Sequence, residues 1–286
     1  MDASNARPSV FITGAAGGIG AATVRKLVEA DITVFAGYHT TTAGLPTNSR
    51  ITPVHIDVTD PESVSQAAKV VGDAVGDAGL AAVVNNAGAI VQGPTELLAP
   101  ANLRWQLELN TLGPTFVVQH FLPLLRPRPG RIVNVSAPTA RIPVPFMGPI
   151  GASKAALSSW STALRGELAP WGIPVVVIEP DATRTAIFAN AASQAQADLA
   201  QAAPARAALY VTQMEAIAAA AAKQKLREPD VVAAVIVKAV TTAHPKRRYT
   251  AGPGAKLFAA LSHLPTGMRD ALVMRAMGLH RVPAVI

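Results

Sequence analysis

The chain of 286 residues contains no cysteine, which excludes disulfide bonds and thiolate-ligated metal sites. We expect no metal site of any kind. No apolar run approaches the roughly 18 residues of a membrane span, and we expect no signal peptide before the first apolar strand. These absences predict a cytoplasmic protein without a membrane span.

Acidic residues are scarce, and the formal net charge is +7. The basic residues are scattered, and their only triplet is Lys246-Arg247-Arg248. Nucleic-acid binding normally needs a continuous basic stripe, so we expect no nucleic-acid partner. The distribution favours a solvated basic surface suited to anionic ligands.

Short β-rich runs alternate with helical patterns, which is typical of an α/β fold with a doubly wound parallel sheet of the Rossmann type and helices on both faces. The predicted strands are 10–12, 32–36, 54–56, 81–84, 130–136, 175–178 and 248–250. We expect one domain over residues 1–286. After the sixth strand, the alanine-rich residues 189–228 predict one or two helices, which form either a lid over a substrate pocket or a packing element. Residues 251–286 predict a helical tail.

Glycines follow the first predicted strand and open a helix, in Thr13-Gly14-Ala15-Ala16-Gly17-Gly18-Ile19-Gly20. Glycine permits the tight turn and lets backbone amides approach a pyrophosphate at the helix N-terminus. A lone glycine pattern is weak evidence, but its position between a strand and a helix favours a dinucleotide site.

Three further segments follow in order: Asn85-Asn86-Ala87-Gly88, Asn110 within Glu108–Gly113, and Gly151-Ala152-Ser153-Lys154. With the glycine loop, their order and spacing resemble the short-chain dehydrogenase/reductase family over residues 9–250. The resemblance implies a nicotinamide dinucleotide cofactor. Residues facing its phosphates would be Gly14, Gly18, Ile19 and Gly20. Residues along its adenine and ribose would be Asp57, Val58, Asn86, Ala87 and Gly88. Residues at its nicotinamide end would be Lys154, Thr183 and Thr185.

The choice of cofactor depends on the end of the second strand, where an acidic residue would bind the ribose hydroxyls of NAD. The sequence there is Ala36-Gly37-Tyr38-His39, without an acid. Members of the family selective for NADP often have an arginine where His39 falls. We therefore predict NADP(H), with NAD(H) as the alternative, while a surface histidine without a role remains open.

The family's catalytic tyrosine is missing, because Ile150 stands four residues before Lys154. Counting back to the family's catalytic serine gives Ala137, so neither hydroxyl that touches the reacting oxygen is present. Of the family's four cooperating residues, the resemblance retains Asn110 and Lys154. The chain has only three tyrosines, of which Tyr210 in the predicted lid is the one conceivable substitute.

Other departures lie near the same place. Asp181 replaces the glycine that usually follows Pro180, and its carboxylate either acts at the nicotinamide end as an acid or base or caps the next turn. Pro143, Pro145 and Pro149 are expected to stiffen a loop before the helix. Ala137, Ile150, Pro145 and Tyr210 then line a pocket that is more apolar than usual.

Three functions remain open. The first is non-redox chemistry, such as cyclisation or isomerisation of a bulky hydrophobic, natural-product-like substrate with NADP(H) bound. The second is an NADPH-dependent oxidoreductase with an unusual proton donor or an iminium-type substrate, with Asp181 stabilising the cation. The third is a non-catalytic ligand-binding or partner subunit. In each case we expect a homo-oligomer, a dimer or a tetramer.

Overall fold

The computed structural model describes residues 7–282. Residues 1–6 and 283–286, the two ends of the predicted domain and tail, lie outside the described residues. The sheet consists of seven strands: β1 (Ser9–Ile12), β2 (Thr33–Tyr38), β3 (Ile51–His55), β4 (Ala82–Asn85), β5 (Arg131–Val135), β6 (Val175–Pro180) and β7 (Arg248–Ala251).

All neighbouring strands are parallel, in the order β3-β2-β1-β4-β5-β6-β7. The chain winds outward from β1 in one direction and from β4 in the other. Ligands of such sheets bind outside the carboxyl ends of the strands where the order reverses. The predicted doubly wound parallel sheet is confirmed, and its switch point lies between β1 and β4.

Eleven α-helices lie within the described residues: α1 (Gly18–Glu29), α2 (Pro61–Val75), α3 (Pro100–Leu107), α4 (Gly113–Leu125), α5 (Gly148–Leu168), α6 (Ile187–Gln201), α7 (Pro204–Ala208), α8 (Val211–Ala222), α9 (Pro229–Thr241), α10 (Pro253–Leu261) and α11 (Thr266–Ala276). None of the helices in this part of the chain is long and apolar enough to cross a membrane.

Alternate residues of the central strands bury opposite faces of the sheet, as the pleat requires. Phe11 packs in one core cluster and stacks on Phe121 of α4, with ring centroids 4.1 Å apart. Its neighbour Ile12 packs in the other cluster with Ile236 of α9. The two cores hold β1 rigidly, and the glycine loop follows directly from it.

Two predictions of local structure were wrong. The sequence predicts that the helix containing Lys154 begins at Gly151, but helix α5 begins three residues earlier, at Gly148. Proline is tolerated in the first turn of a helix because its missing N–H has no partner there, so Pro149 belongs to the helix and not to the preceding loop. The segment after β6 contains three helices, α6, α7 and α8, where we predicted one or two.

Candidate active site

The glycines of the loop after β1 have little room for a side chain. Gly14 has a φ of +62°, and a Cβ there would lie 2.9 Å from the Cα of Ala87. A Cβ on Gly20 would lie 2.1 Å from the Gly14 carbonyl oxygen. Ile19, in the first turn of α1, is half-buried. The loop therefore presents backbone at the N-terminus of α1, as the prediction for phosphate binding requires.

Thr13, which the sequence analysis did not single out, ties this loop to the segment after β4. Its hydroxyl accepts hydrogen bonds from the backbone N–H groups of Asn86 and Ala87, each at 3.0 Å. The Asn86 side-chain amide donates to the carbonyls of Thr13 and Gly14 at 3.0 and 3.1 Å. Two of the four predicted segments thus form one hydrogen-bonded unit at the switch point.

Asn110 lies in a π-helical segment, Glu108–Leu112, between α3 and α4. Single π turns inside α-helices often occur at functional sites. The Asn110 side chain accepts a hydrogen bond from the Ala89 N–H at 3.1 Å and donates to the Ala89 carbonyl at 3.0 Å. A Cβ on Gly88 would lie 3.0 Å from Asn110 Oδ1 and 3.4 Å from Lys154 Nζ. The structure therefore brings Gly88, Asn110 and Lys154 together.

Lys154 is buried, with 6% of its surface exposed. Its ammonium group donates to the Val135 carbonyl at 2.7 Å, and no carboxylate pairs with it among residues 7–282. Burial lowers the pKa of Lys154 to about 8, because desolvation disfavours the charged form. A lysine with such a pKa can gain or lose a proton close to neutral pH.

Ile150 lies one turn before Lys154 on α5 and is 4% exposed. Ser136 faces the interior, where its hydroxyl bonds Ser158 Oγ at 2.8 Å and the Lys154 carbonyl at 3.2 Å. Ala137 follows it and is only partly buried. The positions at which the resemblance places a tyrosine and a serine hydroxyl are thus filled by apolar side chains.

Pro138-Thr139 follows Ala137 where relatives usually have small residues, and the sequence assigned Thr139 no role. Its hydroxyl is buried without a hydrogen-bond partner among the described residues. It lies in the short 3₁₀ turn Pro138–Ala140, and a Cβ on Gly151 would be 3.9 Å from its Cβ. This unpaired hydroxyl lies two residues after Ala137 and near Gly151, and its burial could not be predicted from the sequence.

The contacts of Asp181 favour the capping alternative. One carboxylate oxygen accepts from the Ala182 N–H at 2.9 Å, and the other accepts from the Gly254 N–H at 2.8 Å. Arg227 Nε lies 3.8 Å from the second oxygen. Asp181 therefore joins the end of β6 to the N-terminus of α10. Both of its oxygens are engaged in the fold, which speaks against a role in acid or base catalysis.

The ring of Tyr210 contacts the loop before α5, whereas its hydroxyl points to a different residue. Its ring meets the ring of Phe146 edge-on, with centroids 6.3 Å apart, and Pro145 directly precedes Phe146. The Tyr210 hydroxyl donates to Glu96 Oε2 at 2.8 Å, and this hydrogen bond raises the pKa of Tyr210. A tyrosine with a raised pKa is a poorer acid, so these contacts speak against Tyr210 as the substitute.

His39 and Asp57 lie together at the ends of β2 and β3. His39 Nε2 is 3.6 Å from Asp57 Oδ2, and the histidine side chain is 65% exposed. Partial burial acts to raise the pKa of Asp57, but hydrogen bonds from Thr59 and the charges of His39 and His55 lower it overall. Val58, the residue after Asp57, is buried, and a Cβ on Gly113 would lie 2.9 Å from a methyl group of Val58.

Thr185 lies just before α6 and contacts the glycine loop. A Cβ on Gly18 would lie 2.6 Å from the Thr185 methyl group, and the Thr185 hydroxyl accepts from the Ile187 N–H at 3.3 Å. Thr183 is buried and donates to the Asp181 carbonyl at 2.7 Å. The chain that leads into α6, just before the predicted lid, therefore lies against the loop predicted to hold the cofactor phosphates.

Comparison with known proteins agrees with this geometry. The short chain dehydrogenase family model matches residues 8–196. Retinol dehydrogenase 5 from Mus musculus is 34% identical over 280 residues, covering 92% of this chain and 87% of that protein. A 3-amino-tetrahydro-pyrrolizinone reductase from Xenorhabdus hominickii is 34% identical over 182 residues, covering 64% of each chain. A short chain dehydrogenase from Burkholderia cenocepacia, solved with NADP, superposes with a TM-score of 0.70 at 26% identity, covering 97% of this chain and 98% of that one. The chain belongs to the short-chain dehydrogenase/reductase family.

Proposed function

We propose that the protein is an NADP(H)-dependent oxidoreductase that acts on a bulky hydrophobic substrate and uses Lys154 for proton transfer in place of the family's tyrosine. One observation supports this above all. The tyrosine position is a buried isoleucine, while the lysine one turn later remains buried beside Asn110. By the resemblance, the residues implied for the cofactor match the family, whereas those implied for proton transfer differ from it.

The described residues suit a nicotinamide dinucleotide. Side chains at Gly14, Gly18 and Gly20 would fill the space between the loop and its neighbours. When bound, the nicotinamide would supply or accept a hydride. Lys154 would hold the adjoining ribose, and Thr185 would lie near the carboxamide. We favour NADP(H) because no acid follows β2, and His39 would lie near a 2′-phosphate.

Lys154 suits proton transfer because it is the titratable group beside Asn110 and Ile150, and because its pKa of about 8 is close to working pH. In carbonyl reduction, the ammonium group would give its proton to the oxygen and become neutral. In alcohol oxidation, the neutral amine would accept the hydroxyl proton. A positioned acid or base contributes roughly 10²–10⁴-fold to a rate, so Lys154 could supply much of what the missing tyrosine would.

A bulky apolar substrate is favoured by Ile150, Ala137 and the ring of Phe146, which would replace polar contacts with hydrophobic ones. The mouse relative is named for retinol, a hydrophobic alcohol. An iminium substrate is disfavoured, since Asp181, its expected partner, is engaged in capping. Homo-oligomeric assembly and cytoplasmic location stay predictions.

A second candidate is non-redox cyclisation or isomerisation with the cofactor as a structural element. It is favoured by the loss of both hydroxyl positions at once, which removes the usual support for hydride transfer to a carbonyl. A non-catalytic ligand-binding subunit is the third candidate.

The test begins with an NADPH titration followed by fluorescence, and continues with NADPH consumption in the presence of all-trans-retinal and other hydrophobic aldehydes and ketones. Binding with consumption is expected. Binding without consumption, while a substrate is converted, would support the non-redox candidate. The absence of NADPH binding would contradict the proposal.

The double variant Ile150→Tyr with Ala137→Ser restores both hydroxyls and distinguishes the two enzymatic candidates. If the native reaction is carbonyl reduction through Lys154, the double variant should reduce the same substrates faster. If the native reaction is non-redox and depends on an apolar pocket, the variant should slow it and create carbonyl reduction that the wild type lacks.

A further inference from the structure

A concave cleft lies at the amino-terminal edge of β6 and β7. Its volume is about 290 Å³, and its walls are the end of α5, the turn Gly172–Pro174 and the segment Pro245–Arg247. The proposed cofactor residues follow the carboxyl ends of β1, β4 and β5. In a parallel sheet these two ends lie on opposite sides of the molecule, so the cleft is separate from the proposed active site.

Three cationic side chains, Arg165, Lys246 and Arg247, line this cleft. Between residues 7 and 282, none of the three forms a salt bridge. Their neighbour Arg248 differs, because its guanidinium pairs with the buried carboxylate of Glu179. The cleft therefore collects positive charge that no acidic residue of the described fold neutralises.

The cations are close enough to affect one another. The pKa of Arg165 is lowered first by burial and then by the charges of Arg247 and Arg248. The C-terminus of α5 contributes the equivalent of roughly half a negative charge, which is less than the three positive charges present. An anion in the cleft would relieve this repulsion.

The cleft is also fixed in shape. Arg165 Nε donates to the Val175 carbonyl at 3.0 Å, and the Val177 N–H donates to the Arg247 carbonyl at 3.1 Å. The Lys246 N–H donates to the Tyr249 hydroxyl at 2.9 Å. These bonds hold the backbone and one guanidinium in place, so less conformational entropy would be lost when a ligand binds.

We propose that this cleft binds a small phosphate-bearing molecule through Arg165, Lys246 and Arg247. Arginine guanidinium groups match the oxygens of a phosphate in paired hydrogen bonds, and lysine adds a compact charge. The cleft volume of about 290 Å³ is at the small end of the range for small-molecule sites, roughly 300–1,000 Å³. The cleft thus has room for a phosphate with a small organic group, and too little for a dinucleotide.

Calorimetric titration of inorganic phosphate and of glycerol 3-phosphate, at low ionic strength and with NADP⁺ saturating, tests the proposal. We expect one saturable site that weakens as salt rises. The double variant Lys246→Ala with Arg247→Ala should bind at least tenfold more weakly, because two charge-assisted contacts are lost. Both side chains are exposed, and an unchanged circular dichroism spectrum and melting temperature would verify folding.

Lys223→Ala with Lys256→Ala is the matched control, since it removes the same charge from exposed positions elsewhere and should leave phosphate affinity unchanged. Equal affinity in the wild type and in the cleft variant, or the absence of saturable binding, would overturn the proposal. Sedimentation with vesicles containing phosphatidic acid separates the sources of phosphate. If the cleft residues are needed for binding to these vesicles but neither soluble phosphate binds, the proposal of a small soluble ligand is wrong.

Discussion

Replacing Lys154 by methionine should change how the stability of the cofactor-free protein depends on pH. Burial lowers the folded-state pKa from 10.5 to about 8, a difference of about 2.5 pH units between the folded and unfolded states. Each unit corresponds to about 1.4 kcal/mol, so the buried ammonium destabilises the fold by about 3 kcal/mol below pH 8.

The direction in which stability changes with pH follows from proton binding. Between pH 8 and pH 10.5 the unfolded lysine holds a proton that the folded lysine has released, so the free energy of unfolding of the wild type rises with pH. The Lys154→Met variant lacks this contribution. It also loses the hydrogen bond to the Val135 carbonyl, which costs about 1–3 kcal/mol at every pH. The variant should therefore equal or exceed the wild type in stability at pH 7 and fall below it at pH 10.5.

Urea denaturation of both proteins from pH 7 to pH 10.5 measures the difference in their free energies of unfolding. This difference should change by about 3 kcal/mol over the pH range. Contributions from other titrating groups cancel in the difference. Lys256→Met, at an exposed position, is the control and should give a curve parallel to that of the wild type. Parallel curves for Lys154→Met would refute the assignment of a buried, destabilised ammonium.

Three further predictions concern the cofactor residues and the support of the site. His39→Asp should weaken NADPH binding and strengthen NADH binding. The ratio of the two dissociation constants should change roughly tenfold or more. An unchanged ratio would exclude His39 from the 2′-phosphate site. Gly18→Val should weaken NADPH binding at least tenfold by fluorescence titration, because its side chain would displace Thr185, while Gly166→Ala, in open space, should bind normally. Glu179→Ala should cost about 3 kcal/mol in urea denaturation, because it leaves Arg141 and Arg248 without their buried partner. Its control Glu228→Ala breaks an exposed pair with Arg184 and should cost less than about 1 kcal/mol.

Much of the fold was predictable because its signals are local. All seven predicted strands were found, with ends that differ by up to three residues, since hydrophobic runs followed by glycine or asparagine mark buried parallel strands. The predicted start of α5 is too late, because a proline before a helical pattern fits either the preceding loop or the first helical turn. The π-helical segment around Asn110 could not be predicted, because one extra residue in a helical turn leaves no clear pattern in a sequence.

Most of the contacts that decide the role of a site residue could not be predicted from the sequence. The second bond of Asp181 comes from Gly254, 73 residues later in the chain, and nothing near Asp181 in the sequence indicates it. The role of Thr13 as acceptor for Asn86 and Ala87 is equally non-local. The departure at position 150, by contrast, follows from the family resemblance, because Lys154 and the glycine loop align the chain with the family's motifs.

The pH dependence of NADPH-linked turnover in the wild type and in Lys154→Met tests the central claim most directly. With a hydrophobic aldehyde as substrate, kcat/KM of the wild type should fall as pH rises through about 8, because the ammonium form donates the proton. Lys154→Met should lose roughly 10²–10⁴-fold in kcat/KM, with a smaller loss in NADPH affinity measured separately. A wild-type profile that stays flat through pH 8, or a methionine variant that turns over like the wild type, would contradict proton transfer by Lys154.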